Sequence, residues 1–285
     1  MQSRIACALF VLFVLQPLCA RAGEAPVEVA FLSADGRTML RGFVFTPSVP
    51  GPWPAVVMMH GRSGPYSNLA KGNYGGTTLS VRHRQWGRYW AERGYLALHV
   101  DSFGPRGYPE GFPMGSYSNR PAEVSEQHVR PFDAYGALNY LRTRRDVIAD
   151  RIGLQGWSNG AMAALSTLDA QGAWLANPTP TTGFRAALLF YPSCLPQVKR
   201  DYRPYASALM FIASEDEEVS PEPCRALTDQ IRSRGVEYFE MVWYEGATHG
   251  FDTPIKPRQS IEANRKARAD SMARAERFFQ QQLKR

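Results

Sequence analysis

The stretch Ile152–Leu165, IGLQGWSNGAMAAL, decides the fold of this chain of 285 residues. An apolar run leads into Gly156-Trp157-Ser158-Asn159-Gly160, and a segment rich in Ala, Met and Leu follows. Strand, tight turn and helix form the context in which a G-x-S-x-G motif exposes its serine hydroxyl. The two glycines are small enough for strand and helix to approach each other. Ser158 is therefore a candidate nucleophile.

A serine hydroxyl is a weak nucleophile and needs a base that an acid orients. Asp216 lies just beyond the apolar run Leu209-Met210-Phe211-Ile212, and His249 follows the predicted strand 239–244. The order Ser158, Asp216, His249 is that of α/β-hydrolases, whereas chymotrypsin-like and subtilisin-like enzymes use other orders. These residues are the predicted nucleophile, acid and base.

Both partners of the serine have alternatives. Asp216 could instead cap the helix that begins near Pro221, and His249 could be structural. Three neighbouring carboxylates compete for the role of the acid: Glu215, Glu217 and Glu218.

Acyl transfer also needs donors for the developing oxyanion. One predicted donor is the backbone N–H of Asn159, directly after the nucleophile. The other is the backbone N–H of Arg62, in the loop Met59-His60-Gly61-Arg62-Ser63-Gly64 that follows an apolar strand.

Short apolar runs alternate with helical segments along the chain, which indicates βαβ units and a mostly parallel sheet with helices on both faces. Two strands around the Asp35-Gly36 turn predict an antiparallel hairpin at one edge. We expect a single α/β domain over residues 23–285. The predicted strands are 27–33, 38–46, 55–59, 96–100, 152–157, 186–191, 209–213 and 239–244. The predicted helices are 84–93, 126–144, 160–170, 221–234 and 259–283.

Two long insertions, 61–83 and 102–125, interrupt this alternation. Long loops within a domain are often functional, and both leave the carboxyl ends of predicted strands, where ligands bind parallel sheets. In the second insertion, Arg106 could pair with a substrate carboxylate or could anchor the loop. Four aromatic residues of the same insertion could line a substrate pocket or could pack within the loop: Phe103, Tyr108, Phe112 and Tyr117.

Residues 1–22 are predicted to be a cleaved signal peptide. A positive start precedes the apolar run Ile5–Leu15, and Ala20-Arg21-Ala22 fits a cleavage site. The apolar run is too short to span a bilayer comfortably. We therefore expect an exported protein, periplasmic or secreted, with no membrane span after cleavage.

Net charge argues against a nucleic-acid partner. The chain has 33 basic and 26 acidic residues, and removal of Arg4 and Arg21 leaves an excess of five positive charges. Residues 258–285 hold eight basic and three acidic residues, which accounts for that whole excess. The body of the chain thus lacks the basic surplus that phosphate binding requires.

Cys194 and Cys224 are the two cysteines that remain after the signal peptide. In an oxidising compartment such a pair favours a disulfide, although two buried thiols are the alternative. Neither cysteine has metal-ligand spacing, so no metal site is expected.

The segments HGRSG (60–64), VDSFGPRG (100–107), GWSNG (156–160), SED (214–216) and HGF (249–251) together resemble the dienelactone hydrolase family, in a secreted branch. The resemblance implies an α/β-hydrolase that cleaves an ester or lactone without metal or organic cofactor. It places Ser158, Asp216 and His249 in the nucleophile, acid and base positions. Archetypal members carry a cysteine nucleophile and a glutamate in the oxyanion loop. With a serine nucleophile and no loop carboxylate, a general carboxylic ester is the expected substrate.

The alternatives share this fold. A serine peptidase would usually carry a large additional domain, and a depolymerase of polyesters or acylated polysaccharides would need an open site. A protein of a different class, a binding module without turnover, would keep its ligand affinity after the serine is replaced.

Overall fold

The computed structural model describes residues 25–172 and 174–284, so the predicted signal peptide lies outside the described residues. The strands are β1 (Val27–Leu32), β2 (Met39–Phe45), β3 (Trp53–Met59), β4 (Leu96–Asp101), β5 (Val147–Trp157), β6 (Ala186–Phe190), β7 (Ser207–Glu215) and β8 (Phe239–Thr248). The helices are α1 (Val81–Glu92), α2 (Arg130–Thr143), α3 (Asn159–Thr167), α4 (Leu195–Val198), α5 (Glu222–Arg232), α6 (Lys256–Gln259) and α7 (Glu262–Leu283).

The strands form one sheet of eight, in the order β1-β2-β4-β3-β5-β6-β7-β8. From β4 to β8 all neighbours are parallel, whereas β2 runs antiparallel to both β1 and β4. The predicted mostly parallel sheet with an antiparallel edge hairpin is confirmed. The chain order reverses at β3, which lies between β4 and β5, and the loops after such strands leave a crevice for a ligand.

Helices cover both faces of the sheet, and each face has its own apolar cluster. Along β3, Ala55, Val57 and Met59 face the cluster that includes α2, α3 and α5, while Val56 and Met58 face the cluster that includes α1 and α7. Alternate residues of a strand point to opposite faces. A strand buried on both sides is therefore continuously apolar, as the sequence of β3 shows.

Most predicted elements differ from the observed ones by a few residues at their ends. The largest differences are at β5, which begins at Val147, at α2, which begins at Arg130, and at β8, which ends at Thr248. Pro131 lies in the first turn of α2, where its missing N–H costs no hydrogen bond and its fixed φ favours the helix. The second insertion contains three short 3₁₀ turns, 104–106, 117–119 and 122–124.

Cys194 and Cys224 form a disulfide that joins the start of α4 to α5. Among the described residues, no helix combines the length and the apolar character needed to cross a membrane.

Candidate active site

Ser158 occupies the turn between β5 and α3 in a left-handed conformation, with φ 51° and ψ −118°. Such a conformation is strained for any residue with a Cβ and recurs at functional sites. A Cβ at Gly156 would collide with the carbonyl of Gly160, and one at Gly160 would collide with the carbonyl of Met59. The two glycines of the motif are therefore required by the close approach of β5, α3 and β3.

Asp216 and His249 meet at the carboxyl ends of β7 and β8. The Nδ1 of His249 lies 2.8 Å from Oδ2 and 3.0 Å from Oδ1 of Asp216. Because a carboxylate only accepts hydrogen bonds, Nδ1 is the donor and Nε2 stays available as a base. The backbone N–H groups of Glu218 and Val219 donate to Asp216 Oδ1 and hold the carboxylate in place. Both side chains are almost completely buried.

Ser158 and His249 line the same small cavity, of about 180 Å³. Arg62 lines it too, since the loop after β3 lies beside the end of β5. The structure thus brings together the three residues that the sequence nominates as nucleophile, acid and base, together with both segments nominated as oxyanion donors. Asn159 is the first residue of α3, and a backbone N–H at this position has no acceptor within its own helix.

The carboxylates next to Asp216 have other partners. Glu217 accepts a hydrogen bond from the backbone N–H of His249 and pairs with Arg258. Glu218 forms a bidentate pair with Arg62, with distances of 2.7 and 2.8 Å, and its Oε2 lies 3.7 Å from His249 Nε2. Burial acts to raise the pKa of Glu218, but the hydrogen bonds from Arg62 and the charge of His249 outweigh it and lower that pKa. The loop after β3, residues 60–64, contains no carboxylate of its own. Glu218, in the loop after β7, contacts it by pairing with Arg62.

A larger cavity of about 530 Å³ is also lined by Ser158. Its lining is mostly apolar and includes Met114 and Tyr117 from the second insertion and Leu195 from α4. Arg120 and Lys199 supply positive charge at its wall. This space can hold the apolar part of a small-molecule ligand next to the serine.

Three candidate substrate-binding residues do not line either cavity. Arg106 is nearly buried, donates two hydrogen bonds of 2.8 Å to Asp133 and donates a third to the carbonyl of Ser102. Phe103 is fully buried, and the Tyr108 hydroxyl donates to Glu123. These contacts favour the alternatives to substrate binding, namely anchoring and packing of the loop. A guanidinium already paired with a buried carboxylate has no free donor edge for a substrate, so its contacts anchor the insertion.

Asp252 connects the surroundings of the serine and the histidine. This buried carboxylate accepts hydrogen bonds from the indoles of Trp86 and Trp157 and from the hydroxyl of Tyr191. Trp157 precedes Ser158, and the ring of Tyr191 packs 4.7 Å from that of His249. Sequence analysis did not identify this network, although an aspartate three residues after the predicted base was visible.

Three further histidines, His60, His83 and His99, form a fully buried cluster with Trp157 under the oxyanion loop. Burial lowers the pKa of each, reinforced by the charges of Arg130 and Arg82, and the pKa of His99 falls to about 3. All three are consequently neutral in the folded protein near neutral pH.

The cluster predicts loss of stability in acid. In the unfolded chain these histidines bind protons below an ordinary pKa of about 6.5, whereas in the folded protein they stay neutral. Protons therefore favour the unfolded chain more and more as the pH falls below that value. Each of these histidines should add about 1.4 kcal/mol per pH unit to the decline of the unfolding free energy well below pH 6.5. Urea unfolding of His99→Phe should show a shallower decline from pH 6 to 5 than the wild type. The two nitrogens of His99 have no partners among the described residues, so phenylalanine removes no hydrogen bond. Parallel declines would contradict the prediction.

The sheet order and the strained serine turn place the chain among the α/β-hydrolases. The sequence profile of the dienelactone hydrolase family matches residues 40–283, and the chain belongs to this family of hydrolases. No curated protein shows significant sequence similarity to the chain.

Solved structures share the fold at low sequence identity. A putative dienelactone hydrolase from Klebsiella pneumoniae has a TM-score of 0.65 and 17% identity, covering 90% of this chain and 99% of its own. A dienelactone hydrolase-like promiscuous phosphotriesterase from metagenomic libraries has a TM-score of 0.62 and 19% identity, covering 91% and 99%. Esterase 2 of Thermogutta terrifontis, in its apo form, has a TM-score of 0.61 and 18% identity, covering 92% and 95%.

Proposed function

We propose that the chain is an exported serine hydrolase that cleaves a carboxylic ester or lactone through Ser158, His249 and Asp216. The observation that carries the proposal is the hydrogen-bonded pair of His249 and Asp216 beside the strained turn of Ser158. A base with one fixed tautomer that lines the same cavity as a serine is what activation of a hydroxyl requires.

In the proposed reaction, His249 Nε2 takes the proton of the Ser158 hydroxyl while Oγ attacks the ester carbonyl. The backbone N–H groups of Asn159 and Arg62 hold the oxyanion, and Asp216 stabilises the imidazolium. His249 then gives its proton to the leaving alcohol, and an acyl-enzyme forms. Water, deprotonated by the same histidine, releases the acid and restores the serine.

The larger cavity supports an ester with one apolar group of moderate size. Its mostly apolar wall, with Met114, Tyr117 and Leu195, favours a small molecule over a strongly polar polymer segment. The predicted signal peptide and the disulfide between Cys194 and Cys224 favour an exported protein with one mature domain, residues 23–285.

A fluorophosphonate probe tests the proposal, since the activated hydroxyl of a serine displaces its fluoride and becomes phosphonylated. Incubation with the purified mature protein, followed by peptide mass spectrometry, should find the label on Ser158. The variant His249→Ala should label far more slowly, because the proton of the hydroxyl then has no acceptor. A folded wild-type protein that stays unlabelled, or that is labelled equally fast without the histidine, would refute an activated Ser158.

A further inference from the structure

Arg130, in the first turn of α2, is completely buried in the wall behind the oxyanion loop. Its Nη1 donates to the side-chain oxygen of Asn159, and its Nη2 donates to the backbone carbonyl of His60 at 2.8 Å. Its guanidinium also lies over the ring of Phe103, at 4.9 Å from the centroid. One rigid, planar group therefore joins the turn after β5 to the loop after β3.

Those two segments hold the two proposed oxyanion donors. Asn159 supplies one backbone N–H, and its side chain is held at both ends, because its amide nitrogen donates to Glu126 at 2.9 Å while its oxygen accepts from Arg130. His60 stands two residues before Arg62, whose backbone N–H is the other donor. The guanidinium thus bridges the two donor segments, which also pack directly against each other where Gly160 meets the carbonyls of Met59 and His60.

The burial of Arg130 is energetically expensive for a purely structural residue. No carboxylate among the described residues forms an ion pair with it, and its Nε has no hydrogen-bond partner there. Burial lowers its pKa to about 10, so the group is still charged at neutral pH. The charges of Asp133 and Glu126 act to raise that pKa, but both direct acceptors of the guanidinium are neutral, so its burial carries a desolvation cost that packing with apolar side chains would avoid.

We propose that Arg130 is a positioning residue for the oxyanion hole: its guanidinium fixes the separation of the Asn159 and Arg62 N–H groups and adds positive potential behind them. This inference rests on the proposed function. Arg130 would stabilise the transition state through the oxyanion hole, whereas the residues that line the larger cavity would bind the intact ester.

The variants Arg130→Lys and Arg130→Met test the proposal. Lysine keeps the charge but cannot make two parallel hydrogen bonds, and methionine loses both. With an aryl ester, kcat should fall by about 10²-fold for methionine and somewhat less for lysine, the range known for loss of an oxyanion donor, while KM changes little. Loss of substrate binding would instead raise KM.

Matched oxo- and thionoesters report on the oxyanion hole itself. Sulfur accepts hydrogen bonds more weakly than oxygen, so a well-formed hole favours the oxoester more than a distorted one does. The ratio of kcat/KM for oxoester over thionoester should fall by about tenfold in both Arg130 variants. Arg142→Met is the matched control, because this arginine of α2 donates to backbone carbonyls far from the serine, and it should keep the wild-type ratio.

If the Arg130 variants do not fold, Asn159→Ala decides, since it removes one acceptor and keeps the guanidinium. A lowered ratio in that variant supports the proposal, and an unchanged ratio overturns it. Folded Arg130 variants with the wild-type ratio overturn it as well. A wild-type protein without ester turnover would overturn the proposed function instead, so the two failures are distinguishable.

Discussion

Replacing Ser158 with alanine is expected to lower ester turnover by about 10⁴–10⁶-fold, by analogy with the removal of triad serines. Alanine removes Oγ alone. It keeps the Cβ, so the left-handed turn and its strain are unchanged, and the cavity loses no wall. The activity that remains should come from the oxyanion donors and from substrate positioning. Steady-state kinetics with an aryl ester, together with the unfolding free energy, measure the effect.

Ser166→Ala is the control for the loss of a hydroxyl. Ser166 lies in α3, the helix that follows Ser158, is fully buried, and its Oγ has no hydrogen-bond partner among the described residues. Its removal should leave turnover within about twofold, as expected for a site away from the chemistry. If Ser158→Ala retained turnover, the serine would not be the nucleophile. If the wild-type protein showed no turnover, and Ser158→Ala bound the ester as tightly as the wild type, the chain would be a binding module.

The local part of the site could be predicted because its determinants are neighbours in the sequence. The elbow needs a strand, two small residues around the serine, and a helix, all of which lie within Ile152–Leu165. Ser158, Asp216 and His249 each directly follow the last residue of a strand, namely β5, β7 and β8. In a parallel sheet such positions all fall at the same edge, so their order and spacing were enough to group them.

The supporting contacts could not be predicted, because they join distant segments through side-chain geometry. Arg130 reaches Asn159 across 29 positions, and Glu218 reaches Arg62 across 156. The sequence contains 33 basic residues, and nothing local indicates which of them are buried. The position of Arg106 in a glycine-rich and proline-rich insertion suggested a place beside the site. The insertion packs against α2 instead, and Arg106 forms an ion pair with Asp133 of that helix.

Replacing Asp216 with asparagine is expected to lower kcat by about 10⁴-fold at neutral pH, the loss known for the same change in a serine protease. The asparagine amide can donate to Nδ1 of His249, which would leave the proton on Nε2, the nitrogen that has to receive the proton of the serine. The change is nearly isosteric, and the backbone N–H groups of Glu218 and Val219 can still donate to the remaining oxygen. Folding should therefore be preserved. Kinetics over a range of pH measure the loss.

The same measurement distinguishes Asp216 from the neighbouring carboxylates. Glu215 is exposed and is the last residue of β7, directly before the acid, so Glu215→Gln is a matched control that should keep nearly full activity. Of the two ring nitrogens of His249, only Nε2 has a contact with Glu218 within 4 Å. Glu218 therefore cannot set the tautomer in place of Asp216, which binds Nδ1. If Asp216→Asn kept most of its activity while Glu218→Gln lost it, the orienting acid would be Glu218. The base would then be Nδ1, the nitrogen that lies against the side chain of residue 216 in this structure.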